Sequence, residues 1–225
     1  MLSEENIQLI AEYFSAWEYL SKTEREELID NTTLMHYPKG ACIHNGENDC
    51  RGMLIIKKGM LRTYMLSESG KEITLYRLSA GELCVLSASC VLSAITFEVQ
   101  IDAEEDTDVL FTSSMFFQSL LERNLHVECF AYKIATDRFS DVMWAMQQIL
   151  FMSMDKRLAV FLWDELMKSE NDTVRLTHEH VAKNIGTARE VVSRMLKYFS
   201  SEGIAELSRG GIRIIDKEKL RKLTQ

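Results

Sequence analysis

The sequence THEHVAKNIGTAREVVSRML, residues 177–196, decides the fold of the C-terminal part of the chain. Ala182 is small at a position where two helices would cross closely. Gly186 follows four residues later, where a turn between them requires positive φ. We therefore predict a helix-turn-helix whose second helix spans 187–199. Apolar residues at helical spacing are expected to form its small core: Val181, Ile185, Val192 and Met195.

The second predicted helix carries a polar face that is typical of DNA-binding helices. We expect Thr187 to cap this helix. Glu190, Ser193 and Arg194 fall on one helical face, and Arg189 lies beside them at the N-terminal end. Arginine can donate two hydrogen bonds to guanine O6 and N7, and glutamate can accept one from cytosine N4. The pattern predicts binding to double-stranded DNA, and the alternative is a solvated surface helix held by salt bridges.

Two short strands are predicted after this helix, at 204–208 and 211–215. Arg209 and Gly210 join the strands into a hairpin that has the form of a wing, with Arg209 placed to meet phosphate or the minor groove. The alternative for Arg209 is a solvated residue at a hairpin tip. A last helix is predicted over 216–223.

Charge is distributed unevenly along the chain, whose formal net charge is −8. Residues 1–150 contain 12 Lys and Arg against 23 Asp and Glu, whereas residues 151–225 contain 14 against 11. An acidic body with a basic C-terminal module is typical of a regulator rather than a general nucleic-acid coat protein. Because the chain has no signal peptide, no long apolar span and five cysteines, we expect a cytoplasmic protein with reduced thiols and no membrane partner.

The N-terminal part has the pattern of a small β-domain. After a helical start, short apolar or alternating runs from Thr32 onward are separated by glycines at intervals of about one strand and turn. The pattern predicts an antiparallel barrel or jelly roll. The whole chain is then an α+β protein with a jelly-roll domain over 1–123, a long helix over 124–152 and a winged helix-turn-helix over 153–225.

The stretch 124–152 contains neither glycine nor proline, which predicts one long helix. A heptad frame fits it, with Leu125, Tyr132, Phe139 and Met146 at a positions. Glu128, Ala135, Val142 and Ile149 occupy the d positions. We predict a two-fold coiled coil and hence a homodimer. The alternative is a helix that packs only on its own β-domain.

The order of these parts, together with TAREVVSR at 187–194, resembles the Crp/Fnr family of bacterial transcription regulators. The resemblance implies a homodimer, not an enzyme, in which a cyclic-nucleotide-binding-like jelly-roll domain receives a signal and two winged helices bind an inverted repeat. It further implies that Arg189, Glu190 and Arg194 contact base edges with help from Ser193. Contact with RNA polymerase is a further expectation from the resemblance.

The resemblance also indicates which residues would bind a cyclic nucleotide, and these can be compared with the sequence. Gly81-Glu82 matches the pair that binds ribose in nucleotide-binding members of the family. However, no Lys or Arg occurs from Leu78 through Glu122, and Ala94 to Phe97 stand where the phosphate-binding arginine is expected. Burying a phosphate without a cation is costly. The sequence argues against cyclic AMP and favours a turn with a rim carboxylate at Gly81-Glu82.

Cysteine and histidine positions bear on whether other cofactors could bind. An iron–sulfur cluster is disfavoured because no cysteine precedes Cys42 and no CxxC pair occurs. Haem stays open, with His36, His44 and His126, or a cysteine thiolate, as candidate ligands. A cupin-like metal enzyme is disfavoured because His36 and His44, near Glu47 and Asp49, lack the paired-His spacing, so no metal site is predicted.

Cys84 and Cys90 stand where the family's effector pocket begins. They are either two buried structural thiols or a redox pair, since spacing alone does not establish bridging distance. With Gly81 and Glu82 they are the candidate effector-pocket residues. A small apolar or acidic metabolite is a further alternative for the signal.

Overall fold

The structure, a computed structural model, describes residues 2–45, 52–68, 70–85, 99–169, 171–208 and 211–225. It divides into two units. The first comprises Met1–Met65 and Leu75–Val142, and the second comprises Leu66–Thr74 and Met143–Gln225.

Three short helices begin the first unit: α1 (Glu4–Tyr13), a 3-10 helix (Ser15–Tyr19) and α2 (Lys22–Asp30). Ser21 is the N-cap of α2 and forms a capping box with Glu24. The Ser21 hydroxyl accepts from the Glu24 amide, and the Glu24 carboxylate accepts from the Ser21 amide. The predicted helical start is confirmed.

In the described residues, eight strands then form two sheets, as the alternating pattern predicts. They are β1 (Thr32–Tyr37), β2 (Cys42–His44), β3 (Met53–Lys58), β4 (Met60–Leu66), β5 (Glu72–Ser79), β6 (Leu83–Val85), β7 (Gln100–Ala103) and β8 (Thr107–Thr112). The strand orders are β1-β8-β3-β6 and β2-β7-β4-β5. We call this double sheet the β-roll; its core contains Leu54, Ile56, Leu61, Leu78, Ile101 and Val109.

Two helices follow, α3 (Ser114–Arg123) and α4 (Leu125–Phe151), so the predicted long helix is confirmed. The start of α4 packs into the core of the first unit through Val127, Phe130 and Ala131. Phe130 meets Phe14 edge to face, with ring centroids 4.8 Å apart, a favoured geometry for aromatic pairs. No helix in the described ranges is long and apolar enough to cross a membrane.

The second unit has the predicted order of a winged helix-turn-helix. Its elements are α5 (Met154–Lys168), β9 (Thr173–Val174), α6 (His178–Ile185), α7 (Arg189–Ser201), β10 (Ala205–Ser208), β11 (Gly211–Ile214) and α8 (Lys217–Thr224). The strands form one sheet in the order β10-β11-β9. The unit also includes the tip of the β4–β5 hairpin, where Glu72 lies 2.9 Å from the ammonium of Lys183.

Two glycines of the β-roll give a matched test of close packing. Gly59 has φ +91°, and a Cβ there would lie 2.4 Å from Oγ1 of Thr107 and 2.6 Å from the carbonyl oxygen of Asp106. Gly40 has φ +83°, with open space around the same position.

We expect Gly40→Ala to cost about 1–2 kcal/mol in free energy of unfolding from backbone strain alone. Gly59→Ala should cost about 1–3 kcal/mol more because the backbone must also move. Urea denaturation of both variants checks this, and equal losses would contradict it.

Candidate functional site

The turn between α6 and α7 has the geometry that Gly186 predicts. Gly186 adopts a left-handed conformation, with φ 65° and ψ 46°, and its amide donates to the carbonyl of Ala182. The carbonyl of Ile185, which has no partner within its helix, accepts from the guanidinium of Arg157 at 3.1 Å. The turn is thus fixed both by backbone conformation and by a side chain of α5.

The capping prediction at Thr187 is wrong by one residue. The amide of Thr187 donates to the carbonyl of Ala182 at 2.9 Å, so Thr187 still belongs to the end of α6. Ala188 occupies the N-cap position of α7, with extended backbone and no side-chain acceptor. Consequently α7 begins at Arg189 rather than at 187. The DNA contact expected of Thr187 stays a prediction.

The predicted core of the helix-turn-helix is confirmed. Val181, Ala182, Ile185 and Val192 are buried, and Met195 packs against them while partly exposed. Burial of this face fixes which face of α7 points outward, because helical residues three or four apart share a side. Arg189, Glu190 and Arg194 are accordingly exposed.

Ser193 differs from its neighbours on α7 because its polar group already has a partner. Its Oγ lies 2.8 Å from Nδ1 of His178, the first residue of α6, and both residues are half-buried. Arg189, Glu190 and Arg194 have no side-chain hydrogen bond or ion pair with any residue that the structure describes. The sequence pattern does not reveal the contact, which depends on the crossing of two helices.

The predicted wing is present as a two-stranded hairpin. Ala205 pairs with Ile214 and Ser208 with Gly211, and β9 extends the sheet. Arg209 and Gly210, the predicted tip, lie outside the described residues. Arg209 therefore stays a candidate phosphate or minor-groove contact.

The predicted turn at Gly81-Glu82 is present in the first unit, and the role of Glu82 as a rim carboxylate stays a prediction. Gly81 has φ +88°, and Glu82 accepts hydrogen bonds from the amide and hydroxyl of Ser79, at 2.8 and 2.9 Å. The guanidinium of Arg138 on α4 lies 3.6 Å from Glu82 and 2.7 Å from Asp141. The sequence pattern does not single out Arg138, because it lies beyond the segment 78–122, which contains no Lys or Arg.

Cys84 lies in the same part of the β-roll, together with Tyr76 and Thr63. The Cys84 side chain is 2% exposed, and burial raises the pKa of its thiol to about 12, against a smaller lowering by Arg138. Burial likewise raises the pKa of Tyr76, although the nearby Thr63 hydroxyl opposes this. Cys90 lies outside the described residues.

The two cations described near this part of the β-roll are already paired with carboxylates. Arg138, the cation beside Glu82, is balanced by Glu82 and Asp141, and Arg77 on β5 is paired with Glu104 at 2.8 Å. A phosphate here would have to compete with carboxylates for a guanidinium. The expectation against cyclic AMP stays a prediction.

The candidate haem ligands lie on separate elements. His36 on β1 bonds Asp108 at 2.7 Å, His126 on α4 stacks on Tyr19 at 4.0 Å, and His44 lies on β2. No group of three or more His, Cys, Asp or Glu suited to a metal ion occurs in the part of the chain that the structure describes.

Comparison with known proteins agrees with both halves of the structure. Residues 156–223 match the Crp-like helix-turn-helix domain, and residues 34–124 match the cyclic nucleotide-binding domain. The cyclic AMP receptor protein of Thermus thermophilus is 24% identical over 178 residues, which cover 79% of this chain and 82% of that protein. The flp regulator of Lacticaseibacillus casei is 26% identical over 180 residues, which cover 75% and 77% of the two chains.

One solved structure is more similar still. It is that of a protein assigned to the Crp/Fnr family of transcriptional regulators from Eubacterium rectale, and it is 43% identical in sequence with a TM-score of 0.90. The match covers 94% of this chain and 98% of that one. The chain therefore belongs to the Crp/Fnr family and is a DNA-binding transcription regulator.

Proposed function

We propose that this regulator is a homodimer that binds an inverted repeat through α7 under the control of a signal received by the β-roll. The observation that carries the proposal is the polar face at the start of α7. Arg189, Glu190 and Arg194 project there without any partner among the described residues. Unpaired guanidinium and carboxylate groups on an exposed helix match the donors and acceptors of the major groove.

The dimer is supported by the exposed side of α4. All four predicted a positions are exposed: Leu125, Tyr132, Phe139 and Met146. Phe139 alone is 65% exposed. A row of large apolar side chains at heptad spacing marks a surface that a second helix covers. Two-fold symmetry would then present two copies of α7 to half-sites about 34 Å apart, which defines an inverted repeat.

The signal site is proposed at the contact between Arg138 and Glu82. This contact joins α4 to the turn before β6 within the first unit, so a ligand that alters it acts directly on the proposed dimer helix. A signal works only through different affinity for two arrangements of the protein. Contact with RNA polymerase is proposed from the family resemblance, and both activation and repression by site overlap are compatible with this arrangement.

Base contact by Arg194 is tested by its replacement. We expect Arg194→Ala to lose about 1–3 kcal/mol of discrimination at one base pair of each half-site, because a bidentate contact to guanine is removed. Selection from a random DNA library by the full chain, followed by sequencing, measures the preference at every position. Arg221→Ala, on α8, is the control and should leave the profile unchanged. Equal weakening on all sequences would instead identify Arg194 as a phosphate contact.

Dimer formation through α4 is tested at Phe139. We expect Phe139→Glu to convert the dimer to a monomer, because it places a charge at the centre of the apolar row. Sedimentation velocity gives the oligomeric state directly. Lys133→Glu adds acidic charge at a b position of the same helix and should leave the dimer intact. A dimeric Phe139→Glu protein would place the interface elsewhere.

Thiol chemistry at Cys84 is tested by alkylation. Because only a minute fraction of a thiol with a pKa of about 12 is ionised at neutral pH, we expect iodoacetamide to spare Cys84 in the folded protein. The exposed Cys42 and Cys129 should react. Mass spectrometry of peptides, with urea-unfolded protein as the positive control, gives the extent at each site. Rapid labelling of Cys84 in the folded chain would support a redox switch.

A further inference from the structure

Of the four residues on α7 predicted to contact bases, only Ser193 has its polar group oriented by another described side chain. The partner, Nδ1 of His178, lies 2.8 Å from its Oγ. His178 begins α6 directly after Thr177, whose hydroxyl accepts from the amide of His180 and fixes the first turn of that helix. The imidazole is therefore held by the fold on one side and by Ser193 on the other.

A serine hydroxyl carries one donor and two acceptor sites, and when it rotates freely it can contact a base as either. A bonded imidazole removes this freedom. Where Nδ1 accepts, the serine hydroxyl donates its proton to the imidazole. Its Oγ can then only accept a hydrogen bond from an amino group of a base, such as adenine N6 or cytosine N4. Where Nδ1 carries the proton, the serine O–H is released and donates to guanine O6 or N7, adenine N7 or thymine O4.

We infer that His178 is a positioning residue that fixes the hydrogen-bonding direction of the Ser193 hydroxyl and thereby narrows the base chosen at one position of each half-site. The inference rests on the proposed DNA contact by α7. It adds a determinant of sequence preference that lies on α6, outside the helix that enters the groove.

The experiment is selection from a random DNA library by the full chain at low ionic strength, where phosphate contacts strengthen binding. Four proteins are compared with the wild type: Ser193→Ala, His178→Phe, His178→Asn and the double variant Ser193→Ala with His178→Phe. Phenylalanine keeps a flat ring without the hydrogen bond. Asparagine places a polar atom at about the position of Nδ1.

We expect the wild type to prefer one base at the Ser193 position by about fivefold or more. His178→Phe should reduce this preference to the level of Ser193→Ala, and the double variant should lose no more than either single variant. His178→Asn should restore it. The preference set by Arg194 should stay unchanged throughout.

Three results would overturn the inference. One is an unchanged profile for His178→Phe where Ser193→Ala alters it. Another is uniform loss of affinity on all sequences, which is the result of a purely structural contact. Hydrogen exchange of the α6 and α7 amides in each variant identifies the second case. Absence of any enriched sequence with the wild type would overturn the proposed function itself and this inference with it.

Discussion

The long helix α4 has two apolar faces that water disfavours, and the rest of the structure depends on how each face is buried. One face, with Val127, Phe130 and Ala131, is already inside the core of the first unit. The other face leaves Phe139 and its heptad neighbours exposed. Full burial of one such side chain contributes about 1.5–3 kcal/mol, and the proposed dimer would recover the part that the exposed fraction of each leaves available. The same helix thereby connects the β-roll to a proposed two-fold axis.

The elements that could be predicted from the sequence are those fixed by local physics. The turn at Gly186 depends only on the left-handed conformation that glycine adopts readily. The shared core of Val181 and Val192 depends only on the spacing of apolar residues along each helix. The cap at Thr187 was misplaced because two consecutive residues, 187 and 188, precede the helix, and the serine and threonine preference for caps favours the wrong one. In the structure, the amide of Thr187 completes the previous helix instead.

Contacts between distant residues could not be predicted in the same way. Arg138 and Glu82 are separated by more than 50 positions, and no spacing rule joins a helix to a β-turn at that distance. The sequence does contain one indication of this contact. Arg138 continues the apolar stripe of Val127, Phe130 and Ile134 at steps of three or four, so it is a charged residue on an inward face of the helix. A charge at such a position requires a partner, and the search for one leads to the acidic turn.

The balance of charge around Arg138 bears on the kind of ligand that the proposed signal site would accept. Its guanidinium serves two carboxylates, and removing it from them would leave half-buried negative charge uncompensated. An anionic ligand therefore pays a repulsion that a neutral one does not. At the proposed signal site, the balance of charge thus disfavours an anionic ligand and favours one without net negative charge.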